Sequence, residues 1–306
     1  MSPRRPRWPG PRRRRPDPDY FRGRTAVVTG GGSGIGRALV HALSAAGAVV
    51  TCADLDADAA TATARSAPGP GPVRAATVDV TDPAQVAGVV AQTAAEHGRL
   101  DLMFNNAGIT FGGETEDLTL AQWNAIIDVN LRGVVHGVAA AYPLMIRQGH
   151  GQIVNTGSSG GLLAAGLITS YIATKHAVVG LSLALRTEAA GKGVGVTVVC
   201  PSAVETPLLD QGHLGRFPGR DYYLTGQGIR RPLEPATLAR QVLAAVAGNR
   251  AVLVTPRTTR WIWRLNRLAP GLVLDQATRF VDSQRALQQE RALQQERALQ
   301  QERTLQ

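Results

Sequence analysis

Tyr171 is followed four positions later by Lys175, and this pair is the one in the chain best suited to moving a proton. An alcohol that gives up a hydride must also lose its hydroxyl proton, and a free phenol with a pKa of about 10 is a poor base near neutrality. A neighbouring ammonium favours the phenolate at ~1.4 kcal/mol per pKa unit, so a drop of two or three units asks for ~3–4 kcal/mol. Residues four apart share one face of a helix. The run from Tyr171 to Leu185 holds Ala, Leu and Lys and no proline, so a helix is expected there. Ser158, at the end of an apolar strand-like run, can hydrogen-bond an oxygen on which charge develops. Ser159 stands beside it, and both open a Gly-rich turn. Taken alone, a Tyr-x-x-x-Lys pair is compatible with a surface contact, and the serine with a turn. The pair therefore needs a scaffold and a hydride carrier around it.

The carrier is suggested upstream. The run Thr25–Thr29 leads into Gly30-Gly31-Gly32-Ser33-Gly34-Ile35-Gly36 and then a helical stretch to Ala46, stopped at Gly47. Glycines there allow a tight turn and the approach of a pyrophosphate, towards which the amides of the following helix point. The spacing is T-G-x-x-x-G-x-G rather than G-x-G-x-x-G. Eighteen residues beyond Gly36, Asp54 ends a second run. A carboxylate there accepts hydrogen bonds from ribose hydroxyls and repels a 2′-phosphate, and no Arg lies between Gly30 and Gly36. NAD is therefore expected rather than NADP. Asp56 and Asp58 compete with Asp54 for the role.

The elements needed to hold these groups follow from the pattern. Short apolar runs at Thr25–Thr29, Val49–Ala53, Val73–Val80, Leu100–Asn105, Gln152–Thr156 and Val194–Cys200 are separated by helix-length segments, with a last short run at Ala251–Thr255. Continuous apolar strands alternating with helices indicate a parallel sheet covered on both faces. The expected fold is a Rossmann-type doubly wound α/β sheet of about seven strands in one domain, residues 24–256. A Gly-rich polar segment, 208–235, follows a strand end and is expected to act as a lid.

Here the chain resembles the short-chain dehydrogenase/reductase family in its single-domain form, over about residues 24–256. Beyond the glycine turn, Asp79-Val80 looks like the family's adenine contact, and Asn105-Asn106-Ala107-Gly108 matches its N-N-A-G, which borders the adenosine. Asn130, within V-N-L-R-G, matches its structural and catalytic asparagine. Ser158 lies thirteen residues before Tyr171, and Lys175 completes Y-x-x-x-K. The resemblance implies a hydride transfer between NAD and a secondary alcohol or ketone, with Asn130, Ser158, Tyr171 and Lys175 catalytic. Tyr171 exchanges the proton, Lys175 also binds the nicotinamide ribose, and Asn130 holds a water that relays protons to Lys175. Gly30, Ser33, Gly34, Ile35, Gly36, Asp54, Asp79, Val80, Asn106, Ala107, Gly108, Tyr171, Lys175, Pro201, Val204 and Thr206 are the expected cofactor contacts. A homodimer or homotetramer is implied as well. One departure is Ser202, where the family usually has glycine after Pro201. The reading from another class is a nucleotide-binding sensor or scaffold with a vestigial site.

Composition narrows the rest. The net charge of +10 is carried by the ends: +7 over residues 1–24, +5 over 250–306, and −2 between them. With no reading module beside the basic ends, nucleic acid is not an expected partner. Two cysteines, Cys52 and Cys200, make no disulfide framework, and none of the six histidines falls in a metal or triad pattern; no metal site is expected, and the setting reads as a reducing cytoplasm. No G-x-S-x-G elbow supports a serine hydrolase, and no apolar run reaches the ~18 residues of a membrane span. Residues 1–23, rich in Arg and Pro, are expected to be disordered. In the extension 257–306, RALQQE begins at Arg285, Arg291 and Arg297. A six-residue period gives no seam on a helix of 3.6 residues per turn, so a solvated, partly helical tail is expected. Ahead of it, Trp261, Leu265, Leu268 and Leu272 share a helical face among arginines. That stripe suits packing on the protein's own domain or on a sister subunit, with contact to a membrane surface as the lesser alternative. Leu162, Leu163, Ile168, Leu208 and Leu209 are expected around an apolar substrate pocket.

Overall fold

The computed structural model describes residues 19–215, 217 and 219–304. Residues 1–18 of the expected leader lie outside that range. Its last residues are ordered: 19–23 form a turn in which Phe21 is buried, and the Arg24 guanidinium stacks 4.1 Å from the Tyr20 ring centroid. Packed structure thus extends ahead of the expected boundary at residue 24, because Tyr20 and Phe21 add apolar surface to the core.

Strands and helices alternate through the chain. They run β1 (Thr25–Thr29), α1 (Gly34–Ala45), β2 (Val49–Asp54), α2 (Ala57–Arg65), β3 (Val73–Thr77), α3 (Pro83–His97), β4 (Leu102–Asn105), α4 (Leu120–Ile127), α5 (Gly133–Gln148) and β5 (Gly151–Thr156). After these come α6 (Thr169–Ala189), β6 (Val194–Pro201), α7 (Arg220–Gly226), α8 (Pro235–Ala247), β7 (Val252–Thr255), α9 (Arg257–Leu268) and α10 (Pro270–Thr304). The seven strands form one parallel sheet in the order β3-β2-β1-β4-β5-β6-β7. The order reverses between β1 and β4, which opens a crevice at the strand C-termini, where ligands of such sheets bind.

Alternation within each strand supplies two cores. Ala26, Val28, Val50, Cys52 and Phe104 pack under α1 and α8, against Leu39, Leu43, Leu238 and Val242. Val27, Ala53, Met103, Ile153 and Val196 face α3 and α5, against Val86, Val90, Ala141 and Met145. Local signals set the helix ends. Asp56 and Asp82 accept amide hydrogen bonds at the starts of α2 and α3, Thr119 and Gln122 form a reciprocal cap on α4, and Gly98 and Gly149 end α3 and α5 in the left-handed conformation.

Two differences from expectation concern extent. The run Val73–Val80 pairs only to Thr77; Val78–Val80 leaves the sheet and turns into the crevice. The C-terminal extension is helical from Arg257 to Thr304 apart from the break at Ala269, and its first half packs on the domain. Arg285 makes a paired hydrogen bond to Glu114 at 2.7 and 2.8 Å, Gln284 is buried, and Phe280 lies 5.3 Å from the Tyr222 ring.

Candidate active site

β1 delivers the chain into the glycine turn at the crevice. Gly30 has φ +63, and a Cβ there would stand 2.8 Å from Ala107 Cα; a Cβ on Gly36 would stand 1.8 Å from the Gly30 carbonyl oxygen. Only glycine lets the turn, the start of α1 and the Asn106-Ala107 segment close on one another. Gly36 is therefore a packing residue, and the lining of the crevice comes from Gly30, Ser33, Gly34 and Ile35. Asp54, at the tip of β2, accepts from the Gly32 amide at 2.7 Å and the Asp56 amide at 3.0 Å, which fixes its carboxylate at the crevice edge. Asp79 is held by the Thr81 amide and hydroxyl, both at 2.8 Å. Asn106 knits three strand ends: its side-chain amide donates to the Thr29 carbonyl at 3.1 Å, and its oxygen accepts from the Thr156 hydroxyl at 3.1 Å.

Asn130 sits in a π-turn, Asp128–Arg132, between α4 and α5. Such a bulge turns a side chain out of the ordinary helical ladder. The carboxamide is fully buried; it accepts from the Ile109 amide at 2.8 Å and donates to the Ile109 carbonyl at 2.9 Å and the Thr174 hydroxyl at 3.2 Å. It thereby clamps the segment after Gly108 to α6. A Cβ on Gly108 would lie 3.2 Å from Asn130 Oδ1 and 3.5 Å from Lys175 Nζ, so both polar groups converge on that glycine.

Tyr171 and Lys175 lie in the first two turns of α6 and face the crevice. Lys175 Nζ donates to the Thr156 carbonyl at 2.9 Å and stands 5.5 Å from the Tyr171 ring centroid. Ser158, extended at the end of β5, accepts from the Gly160 amide at 3.0 Å, and its hydroxyl hydrogen-bonds the Tyr171 phenol. That bond separates Ser158 from its neighbour Ser159. The electrostatics differ from the expected drop in the tyrosine's pKa. Burial pushes the Tyr171 phenol up from its ordinary value, and the Ser158 hydrogen bond only partly offsets this. Burial likewise pushes Lys175 down to about 8. Desolvation penalises both charged forms and is the largest cause of each shift.

Apart from Gly36 and the buried Asn130, these groups line one cavity of about 950 Å³, near the upper end for a ligand site. One end is walled by the glycine turn, Asp54, Val78–Val80 and Asn106–Ile109; Ser158, Tyr171, Lys175, Pro201, Val204 and Thr206 form the middle. The far end is apolar, with Leu163, Ile168, Leu208, Leu209, Tyr222 and Tyr223. Leu162 does not belong to it: it turns inward against Val179, Val198 and Val254. Ser202, the departure beside the cavity, donates from its hydroxyl to Gln227 Oε1, which also accepts from the Ala203 amide at 2.8 Å. The segment expected as a lid is thus tied to the end of β6 through Gln227. Ile262, Leu265, Leu272, Val273 and Phe280 of α9 and α10 complete the wall; Leu265 and Leu272 belong to the stripe expected to pack on the domain or a sister subunit, but none of the five was expected at the cavity. The only signal they carry is amphipathic spacing outside the recognisable motifs.

A strand-end glycine turn, a carboxylate one strand over and an apolar chamber beside a Ser-Tyr-Lys cluster are the parts a dinucleotide and a small alcohol or ketone require. The sequence profile of the short chain dehydrogenase family matches residues 24–213. D-beta-hydroxybutyrate dehydrogenase of Rhizobium meliloti is 37% identical over 193 residues, covering 61% of this chain and 74% of that protein. Levodione reductase of Leifsonia aquatica is 37% identical over 194 residues, 62% and 73% of the two chains. The crystal structure of a short chain dehydrogenase/reductase from Burkholderia phymatum in complex with NAD superimposes with a TM-score of 0.74 at 31% identity, covering 82% of this chain and 95% of that one. The chain belongs to the short chain dehydrogenase family. It is an oxidoreductase of the alcohol dehydrogenase and ketoreductase type.

Proposed function

We propose that the enzyme is an NAD-preferring dehydrogenase or reductase of an apolar secondary alcohol or ketone, with Tyr171 as the acid/base and Ser158, Lys175 and Asn130 in support. The observation that carries it is the convergence of the Ser158 hydroxyl, the Tyr171 phenol and the Lys175 ammonium in one cavity, between a glycine turn shaped for phosphates and an apolar chamber. Gly30, Ser33, Gly34, Ile35, Asp54, Asp79, Val80 and Asn106–Gly108 would hold the dinucleotide, together with Pro201, Val204, Thr206 and Lys175. When bound, the nicotinamide supplies the site that takes or gives the hydride.

The protein's part is orientation and proton movement. Ser158 Oγ, fixed by the Gly160 amide, hydrogen-bonds the substrate oxygen where charge develops. Tyr171 Oη takes the hydroxyl proton in oxidation and returns it in reduction. Lys175 keeps a positive charge near the phenol at neutral pH, since its pKa of about 8 leaves it mostly protonated. Asn130 positions α6 and the Gly108 segment against each other through Ile109 and Thr174. Asp54, held by the turn amides, accepts from ribose hydroxyls and opposes a 2′-phosphate.

Two variants test the reading with NADH absorbance on a panel of alcohols and ketones. Tyr171→Phe is expected to lower turnover by ~10²–10⁴-fold while NADH binding, read by fluorescence, stays within a few-fold. Near-normal rates in that variant would remove Tyr171 from the chemistry. Asp54→Ala is expected to relax discrimination against NADP, and an unchanged preference would place selectivity elsewhere. NADH binding without turnover of any compound on the panel would favour the sensor reading.

A further inference from the structure

The apolar stripe of α9 is only partly covered by the domain. Trp261 is 67% exposed, Leu265 48%, Leu268 85% and, across the break, Leu272 65%. At about 100° per residue, Leu268, Trp261, Leu265 and Ile262 form one continuous arc. Arg257, Arg264 and Arg267 form the adjoining arc, all exposed, and α9 carries four arginines and no acid. Thr259, Trp263 and Asn266 take the inward side, where Trp263 meets Val254 and Asn266 donates to the Leu162 carbonyl at 3.4 Å. The helix therefore lies flat on the domain with its apolar edge in solvent and cations beside it. That is the layout of a helix that rests in a lipid interface, where each cation near an anionic surface adds about 1 kcal/mol.

A second observation says what the surface serves. Ile262, Leu265 and Leu272 are exposed and also line the cavity that holds Tyr171. The apolar wall of the chamber thus continues onto the outer stripe, with Gln276 the exposed polar neighbour of Leu272 at its edge. A second copy of the chain fits the patch poorly, because a two-fold contact would bring one four-arginine helix against another.

We propose that α9 and the start of α10 dock the enzyme on an anionic lipid surface, and that an apolar alcohol or ketone dissolved in the lipid enters the cavity between Ile262, Leu265 and Leu272. The entry step rests on the alcohol/ketone reading above; the docking step does not. Full-length protein is sedimented with vesicles of phosphatidylcholine alone and of phosphatidylcholine mixed with phosphatidylglycerol, without substrate. Binding is expected only to the mixed vesicles, weakening as salt rises. Trp261→Ser/Leu268→Ser and Arg264→Gln/Arg267→Gln should each weaken it at least about tenfold, with unchanged melting and NADH binding. Equal binding to both vesicle types, none to either, or variants that bind like wild type would overturn docking. So would a dimer formed without lipid that the Trp261/Leu268 variant dissolves. For entry, a long-chain ketone held in mixed vesicles should be reduced several-fold faster by wild type than by Trp261→Ser/Leu268→Ser, while a water-soluble ketone is reduced equally by both. Equal rates on the vesicle-held ketone would overturn entry. Loss of turnover on every ketone, with vesicle binding intact, would count against the enzyme reading alone.

Discussion

Lys175 is a lysine enclosed by protein with one hydrogen bond, to the Thr156 carbonyl, and burial lowers its pKa from 10.5 to about 8. Below pH 8 the folded and unfolded chains both carry the proton, and the fold bears the full penalty of burying the charge, on the order of 3 kcal/mol at ~1.4 kcal/mol per unit. Between about 8 and 10.5 the folded chain releases its proton first. The unfolded chain then binds more protons, and stability rises with pH. Tyr171, raised by burial, acts in the opposite sense: above pH 10 the unfolded phenol ionises first, and stability falls. Lys175→Met should therefore melt above wild type at pH 7, by about 2 kcal/mol once the lost hydrogen bond is counted, with the gap closing towards pH 10. Thermal unfolding across that range checks it, and a gap independent of pH would refute the buried-charge account. The residues of the cluster were legible because Tyr171 and Lys175 obey helical spacing, and Asn130 and Ser158 sit in recognisable strings. The direction of the tyrosine's shift was not legible, because desolvation depends on what closes around the phenol. Leu162 was misplaced for a similar reason: a short turn at Ser159–Gly161 sends neighbouring leucines to opposite sides.

At the scale of elements, the parallel sheet was legible from alternating apolar runs and helix-length intervals, and each strand lies within two or three residues of its expected place. Val78–Val80 is the largest of these differences, since an apolar run reads the same whether it pairs with a neighbour or lines a crevice. The π-turn around Asn130 left no mark in the pattern, because a single extra residue in a helix is set by tertiary packing. The segment after β6 depends on a side-chain tie of similar invisibility. Gln227 Oε1 accepts from both the Ser202 hydroxyl and the Ala203 amide, and Ser202 itself is buried. Serine in place of the family's glycine thus adds a donor that holds α7 over the cavity. Removing the acceptor leaves that hydroxyl and amide without it, at a cost of about 1–3 kcal/mol, and frees the segment to move. Gln227→Ala is expected to raise KM for the ketone several-fold with a smaller change in kcat, and to increase protease cleavage within 208–235. Ser202→Gly, which loses one of the two donors, should show a weaker version of both effects. Unchanged KM and cleavage in Gln227→Ala would mean that the tie does not hold the segment.

At the scale of the whole molecule, the C-terminal extension is where the structure most alters the expectation. The repeats from Arg285 onward were expected as a solvated tail, with the Trp261–Leu272 stripe ahead of them packing on the domain or a sister subunit. In the fold α10 forms part of the cavity wall through Leu272, Val273, Gln276, Ala277 and Phe280, and it is fastened by three contacts. Phe280 packs closely enough on α7 that a Cβ on Gly226 would stand 2.8 Å from its ring, Val281 closes on Gly166 in the same way at 2.6 Å, and Arg285 pairs with Glu114. The β7 side of α9 is equally engaged, through Trp263, so a cut after Leu268 isolates the contribution of α10 without opening the sheet edge. No described helix is long and apolar enough to cross a membrane, and along Leu272–Phe280 α10 serves as cavity wall. Deleting residues 269–306 is expected to leave the sheet, the glycine turn and NADH binding in place. It should raise KM for an apolar ketone by about tenfold, corresponding to the loss of roughly 50–60 Å² of apolar contact at ~25 cal/mol per Å². A small water-soluble ketone, which cannot reach Phe280, should lose much less. Measuring KM for a homologous series of ketones on both proteins checks this. The two curves should diverge with chain length, and parallel curves would show that α10 lies outside the path of the substrate.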